Sequence, residues 1–289
     1  MIQRSLFPAR ALCRICIITA LLMPAVVWAQ SEFMVLKQRL IADGFPAAQI
    51  QTVFAGKTVQ FDPKGVALFF QHNESKLNYD QFLSAKSIQQ ARQYMRNHQQ
   101  ALEQAQKNFG VQPTIITAIL LVETRLGTYL GARPIFNSLA TMAALKDKQT
   151  QNLLWNQIPE SRRLSRAKFD AKAKQKSKWA YAEIKALLNY AKREQINPTT
   201  ITGSYAGAMG ISQFMPSNAL KLAVDGNQDG QVDLFTHEDA IASIANYLKQ
   251  HGWQPDLSRK QAYRVLLKYN YSRPYAETLL KIADKLSTT

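Results

Sequence analysis

Cysteine is nearly absent from this chain. Of 289 residues only Cys13 and Cys16 carry a thiol. Both lie in an apolar leader, so the rest of the chain has no disulfide framework, no thiol nucleophile and no cysteine zinc site. Histidine is also scarce: His72, His98, His237 and His251 are scattered, with no H-E-x-x-H pattern. No G-x-S-x-G elbow and no phosphate-binding P-loop occurs. Acid is in short supply, with 20 Asp and Glu against 36 Lys and Arg, for a net charge of +16. No Asp or Glu lies between Glu123 and Asp147, or between Glu194 and Asp225. Beyond Val27 no apolar run is long enough to span a bilayer. Lys and Arg never cluster densely among aromatics, which argues against nucleic acid as a partner.

The opening stretch MIQRSLFPARALCRICIITALLMPAVVWAQ reads as a secretory signal over residues 1–29. Arg4, Arg10 and Arg14 form its basic start, Ile15 to Val27 its apolar centre, and Val27-Trp28-Ala29 its cleavage site. Neither cysteine follows the small-residue run of a lipoprotein signal. A soluble periplasmic protein beginning near Gln30 is expected, with no transmembrane segment after cleavage. Removing three arginines and no acid from the net +16 leaves +13. A basic exported protein has polyanions to meet, among them a carboxylate-rich cell wall. The densest basic stretch, Arg162 to Lys178, alternates with Ala and Ser and reads as a solvated face.

Most of the remaining chain carries apolar residues every three or four positions, so a mainly α fold is expected. Short helices are predicted over 32–60 and one long helix over 87–109, stopped by Gly110. The next starts near Pro113. In PTIITAILLVETRLG, Ile116, Ile119, Leu120, Glu123 and Leu126 share one helical face. A carboxylate on an apolar stripe loses hydration, which favours its protonated form and suits a proton donor. The same placement also fits a structural glutamate paired with Arg125 or Arg133. Residues 148–180 look more polar and irregular, like a small insertion, before helix returns at 181–195.

Residues 203–217, GSYAGAMGISQFMPS, hold three glycines and no charge. Glycine permits close backbone approach. Ser204 and Gln213 offer hydroxyl and amide groups, and Tyr205 and Phe214 offer flat faces suited to pyranose rings. A tight turn between core helices would use the same residue types. Residues 225–239 resemble a calcium-binding EF-hand loop, with Asp225, Asn227, Asp229 and Gly230 at its first, third, fifth and sixth positions. Gln231 supplies a backbone carbonyl and Asp233 a water-mediated contact. Thr236 stands where a closing glutamate belongs, so the closing acid falls to Glu238 or Asp239. Asp239 is also placed to cap the helix that follows. Tyr269, Asn270, Ser272 and Tyr275 form a second neutral cluster. Only Glu123 offers a carboxylate across the two motif regions, whereas a glycosidase ordinarily uses a pair.

Four segments, VETRLG at 122–127, residues 203–217, DAIASIANYL…HGW at 239–253 and YNYSRPY at 269–275, resemble the lytic murein transglycosylase B family (family 3 lytic transglycosylases). The likeness covers residues 30–289, less clearly in their first third. It implies a mainly α, α+β, lysozyme-like core with an extra helical N-terminal part and a small inserted domain. It also implies cleavage of peptidoglycan glycan strands between N-acetylmuramic acid and N-acetylglucosamine, with a 1,6-anhydro product. Glu123 would serve first as acid, then as base. Ser204, Gln213, Tyr247, Tyr269, Asn270 and Tyr275 match substrate-contacting positions. Ca²⁺ in a structural role would be held by Asp225, Asn227, Asp229, Gln231 and Asp239, with Asp239 closing the loop. The family also places such a protein beside other cell-wall enzymes. A hydrolytic muramidase and a non-catalytic wall-binding protein are the competing readings.

Overall fold

The computed structural model describes residues 32–71 and 78–288; the signal segment 1–29 lies outside them. Helix dominates, with thirteen α-helices among the described residues. Helices α1 (Met34–Ala42), α2 (Ala47–Phe54) and α3 (Pro63–Gln71) form the N-terminal part. Helices α4 (Ala85–Asn97) and α5 (Gln99–Phe109) occupy the stretch predicted as one helix. The break falls at His98, whose backbone leaves the helical region at φ −117° and ψ 27°. Its ring packs 4.3 Å from both the Tyr94 and the His237 rings. Gly110, in the left-handed region at φ 73°, ends α5 as expected.

Helix α6 (Pro113–Thr124) starts at its proline and runs through the centre of the molecule. The sequence predicts a one-sided apolar stripe. Instead Ile115 through Leu121 are all buried, because helices pack on every side of it. These are α4, α5, α11 (His237–Gln250) and α13 (Arg273–Ser287), the last preceded by α12 (Arg259–Tyr269). A helix enclosed this way reads as apolar all round.

Helix α7 (Ile135–Ala144) is likewise wholly buried. It lies against α9 (Arg166–Arg193), a single 28-residue helix, after the short α8 (Lys148–Gln157). The segment read as irregular is therefore mostly regular. Phe169, Ala173, Ser177, Ala180, Ile184 and Leu187 give α9 a buried stripe at helical spacing. The intervening Lys and Gln masked it in composition.

Helix α10 (Pro216–Leu222) follows the glycine-rich segment and starts at Pro216, a residue suited to a first helical turn. Two buried glutamates, Glu183 on α9 and Glu194 at its C-cap, hold what comes next. Glu183 accepts bonds from the Ser217 N–H at 2.9 Å and the Ser217 hydroxyl at 2.8 Å. Glu194 accepts from the Val232 N–H at 2.9 Å. A two-stranded antiparallel patch, β1 (Arg133–Pro134) on β2 (Thr202–Gly203), pairs Arg133 with Gly203. Among the described residues no helix is long and apolar enough to cross a membrane.

Candidate active site

Glu123 is the penultimate residue of α6 and is half-buried. The helix stops abruptly after it. Arg125 and Leu126 both take left-handed backbone, at φ 50° and 62°. The Leu126 N–H then reaches back to the Leu120 carbonyl at 2.9 Å. Leu126 therefore sits in the turn and does not extend the helical face. Thr124 fastens this end. Its hydroxyl donates to the Ile211 carbonyl at 3.0 Å and accepts from the Gly127 N–H at 3.0 Å. It thereby ties the glutamate's helix to the 203–217 segment. Replacing the buried Thr124 by valine keeps the shape and removes both bonds. That variant is expected to lose about 1–3 kcal/mol in urea unfolding and to lower activity with it. Unchanged stability would exclude this role for Thr124.

The buried Tyr275 stands behind the carboxylate and donates its hydroxyl to Glu123 Oε1 at 2.5 Å. Burial, reinforced by the charge of Glu123, holds the Tyr275 phenol well above its ordinary pKa. It therefore stays a donor at any physiological pH. Arg125 and Arg133, the candidate partners of Glu123, donate to Gln81 and to Asp62, at 3.1 and 3.2 Å.

Glu123 opens onto a cleft of about 220 Å³ whose other walls include Tyr129, Arg133, Ser204, Tyr205 and Gln213. Glycines let the two sides meet. A Cβ on Gly203 would lie 2.0 Å from the Ala208 carbonyl oxygen, and one on Gly131, at φ +85°, 2.3 Å from the Gly203 oxygen. The charge-free segment closes on itself as a small loop. The Ser204 N–H donates to the Ala208 carbonyl at 2.8 Å, and the Ser204 hydroxyl accepts from the Ala208 N–H at 3.1 Å. Gln213 donates its amide nitrogen to the Gly210 and Leu130 carbonyls, at 3.0 and 3.3 Å. Its Oε1 acceptor remains for a ligand.

The structure thus brings Glu123, Ser204, Tyr205 and Gln213 into one cleft, with Tyr275 directly behind. Phe214 is placed differently. Only 1% exposed, it packs against Tyr247 and Tyr269, ring centroids 5.6 and 6.0 Å away. It is a packing residue beneath the cleft, and offers no face to a sugar. Tyr247 is buried too and donates to the Lys268 carbonyl, while Tyr269 donates to the Ser212 carbonyl, each at 2.6 Å. Asn270 caps the end of α12. Sequence reasoning missed Tyr129, 72% exposed on the cleft. The available signal was an aromatic two residues beyond the ETRLG motif.

The 225–239 loop precedes α11. Asp225 gathers the N–H groups of Gln228, Asp229 and Gly230 at 2.6–3.2 Å. Asp239 does not cap the helix, since Thr236 holds that position. From the first turn of α11 its buried carboxylate reaches back to the N–H groups of Gly226 at 2.8 Å and Asp233 at 2.7 Å. Burial raises its pKa, opposed by these N–H donors and assisted by the charge of Asp225. Among the described residues no group of three His, Cys, Asp or Glu side chains could hold a metal. Any cation here would depend on Asn227 and backbone oxygens as well, a donor set that suits a hard ion such as Ca²⁺.

A central helix ending in one carboxylate, beside a glycine-rich loop in a mainly α molecule, defines the lysozyme-like class. Solved structures agree on the fold. One is SltB3 of Pseudomonas aeruginosa in complex with NAG-anhNAM-pentapeptide, which aligns at TM-score 0.69 and 21% identity, covering 91% of this chain and 79% of that one. Another is the Escherichia coli lytic transglycosylase Slt35 in complex with calcium, at TM-score 0.65 and 22% identity, covering 89% and 92%. Residues 29–262 match the family described as "Transglycosylase SLT domain", and the chain belongs to that family. It is also similar to the membrane-bound lytic murein transglycosylase B of Escherichia coli, 33% identical over 172 residues, 60% of this chain. That match spans 40% of the relative's length.

Proposed function

We propose that this protein is a peptidoglycan lytic transglycosylase working with a single carboxyl group. The carrying observation is that Glu123 is the one acid lining the cleft. A glycosidase that activates water needs a second carboxylate within about 5–10 Å of the first. Here Asp62, the acid beside Arg133, is already ion-paired with it at 3.2 Å. Glu123 would give its proton to the glycosidic oxygen as the bond from the muramic acid C1 breaks. The C6 hydroxyl of the same sugar closes on C1, and the Glu123 carboxylate takes its proton. Tyr275 orients one carboxylate oxygen throughout. Ser204, Tyr205, Gln213 and Tyr129 contact the sugar chain, while Tyr247 and Tyr269 support the wall from behind. The family membership and the name of the murein transglycosylase relative support this reading. Mass spectrometry of digested wall tests it. Products carrying 1,6-anhydromuramic acid are expected, each one water lighter than a hydrolysis product; hydrated ends alone would point to a muramidase.

The export signal and the basic charge support a periplasmic location, with the positive surface aiding retention on the wall. The loop supports a structural Ca²⁺ held by Asp225, Asn227, Asp229, the Gln231 carbonyl and Asp239. A divalent ion would relieve the repulsion between Asp225 and buried Asp239. Adding Ca²⁺ at about 100 times its Kd should stabilise the protein by about 2.7 kcal/mol. Asp225→Asn should abolish the accompanying rise in Tm. A calcium response of equal size in both proteins would remove the site from this loop.

A further inference from the structure

A large basic cavity lies away from the cleft. It has a volume of about 890 Å³ and is walled by Arg39 of α1, Lys146 and Lys148 at the start of α8, and Lys174 and Lys178 of α9. Its one acid, Asp170, is already held by Lys148 at 3.1 Å and by Arg166 at 2.9 Å. Among the described residues no ion pair engages Lys146, Lys174 or Lys178.

Two polar atoms of the cavity's lining residues are buried and without a hydrogen-bond partner: Arg39 Nη1 and Gln151 Oε1. Gln151 is only 4% exposed, and its amide nitrogen is committed to the Leu145 carbonyl at 2.6 Å. Arg39 is fixed flat on Tyr181, its Cζ 3.7 Å from the ring centroid. Buried polar groups ordinarily find partners, so these two point to a ligand. Arg39 and the lysines ask for several negative oxygens. Gln151 Oε1 asks for a donor. Inorganic phosphate and lipid phosphodiesters bring oxygens and no N–H group. A peptide bearing free carboxylates brings both.

We propose that this cavity is a second binding site, taking the carboxylate-bearing peptide stems of the glycan strand. The inference rests on the peptidoglycan reading given above. It concerns a place distinct from the cleft. The cleft adjoins β1 at the start of α7, and the cavity adjoins Lys146 beyond its end. Ten residues of helix separate the two by about 15 Å, so the stem bound here belongs to a sugar other than the pair being cut, or to a neighbouring strand.

Pelleting with purified wall tests the proposal, using full-length protein carrying Glu123→Gln so that the wall stays intact. One wall preparation keeps its stems and the other has lost them to an amidase. Lys146, Lys174 and Lys178 are exposed, and their joint change to Gln spares the fold. Lys107, Lys260 and Lys281, also exposed, changed likewise, control for lost charge. The cavity triple is expected to weaken binding to stem-bearing wall about tenfold beyond the control, about 1.4 kcal/mol, and to match the control on stripped wall. Placed in the protein that keeps Glu123, the same triple should cleave a stem-free glycan at the wild-type rate. Equal loss in both triples, or a loss that persists on stripped wall, would overturn the site. So would a cavity-dependent binding to phosphatidylglycerol vesicles that exceeds binding to stem-bearing wall. Anhydro-product analysis of the wild type, run alongside, reads the catalytic proposal separately from this one.

Discussion

Glu123→Gln is expected to reduce kcat on purified wall by at least about 1,000-fold, within the range assigned to general acid–base groups. In the proposed mechanism one residue carries two proton transfers, so its removal would strike both the bond-breaking and the ring-closing step. The amide is nearly isosteric. It can still accept the Tyr275 hydroxyl at the place of Glu123 Oε1, so the variant should fold normally and bind wall like the wild type. Steady-state digestion with muropeptide mass spectrometry, beside a thermal melt, reads both halves. A variant that still releases anhydromuropeptides within about tenfold of the wild-type rate would show that the acid lies elsewhere. Loss of activity together with a collapsed melt would leave no catalytic meaning in the substitution, and wall binding by the folded variant guards against that outcome.

Phe214→Ala is expected to be the most damaging substitution for stability within the charge-free segment. The ring is 1% exposed and packs between Tyr247 and Tyr269, which themselves meet at 4.9 Å. Truncating a buried phenylalanine costs about 3–5 kcal/mol, because transfer and cavity terms add. At about 2–4 °C for each kcal/mol in a domain of 150–250 residues, Tm should fall by roughly 10 °C or somewhat less in this larger chain. A sugar-stacking role predicts the reverse pattern: KM raised and Tm unchanged. Calorimetry and kinetics on this one variant separate the two.

The meeting of Glu123 with residues 203–217 in one cleft was legible, because helical spacing and a charge-free neighbourhood both single out Glu123. Much of the architecture around it was not. Arg125 and Leu126 take left-handed backbone although neither residue type favours it; the long-range bond from Thr124 to the Ile211 carbonyl fixes the helix end at which they turn. His98 breaks a helix with neither proline nor glycine at hand, where its ring packs on His237, far away in sequence. Phe214 reads as a platform from its chemistry alone, since nothing in a local stretch tells which way a ring will face. Likewise α9 hides a regular buried stripe beneath an excess of lysine. In each case a long-range contact decided what short-range preference left open.

Helix α9 has a further mechanical consequence. Buried Glu183 within it and Glu194 at its C-cap grip the exit of the glycine-rich loop and the Asp-rich loop. Eleven residues of uninterrupted helix, about 16 Å, fix the gauge between those two grips, with no soft joint along the way. Cleft wall and acidic loop are thus fittings on one girder: slack in either is slack in both.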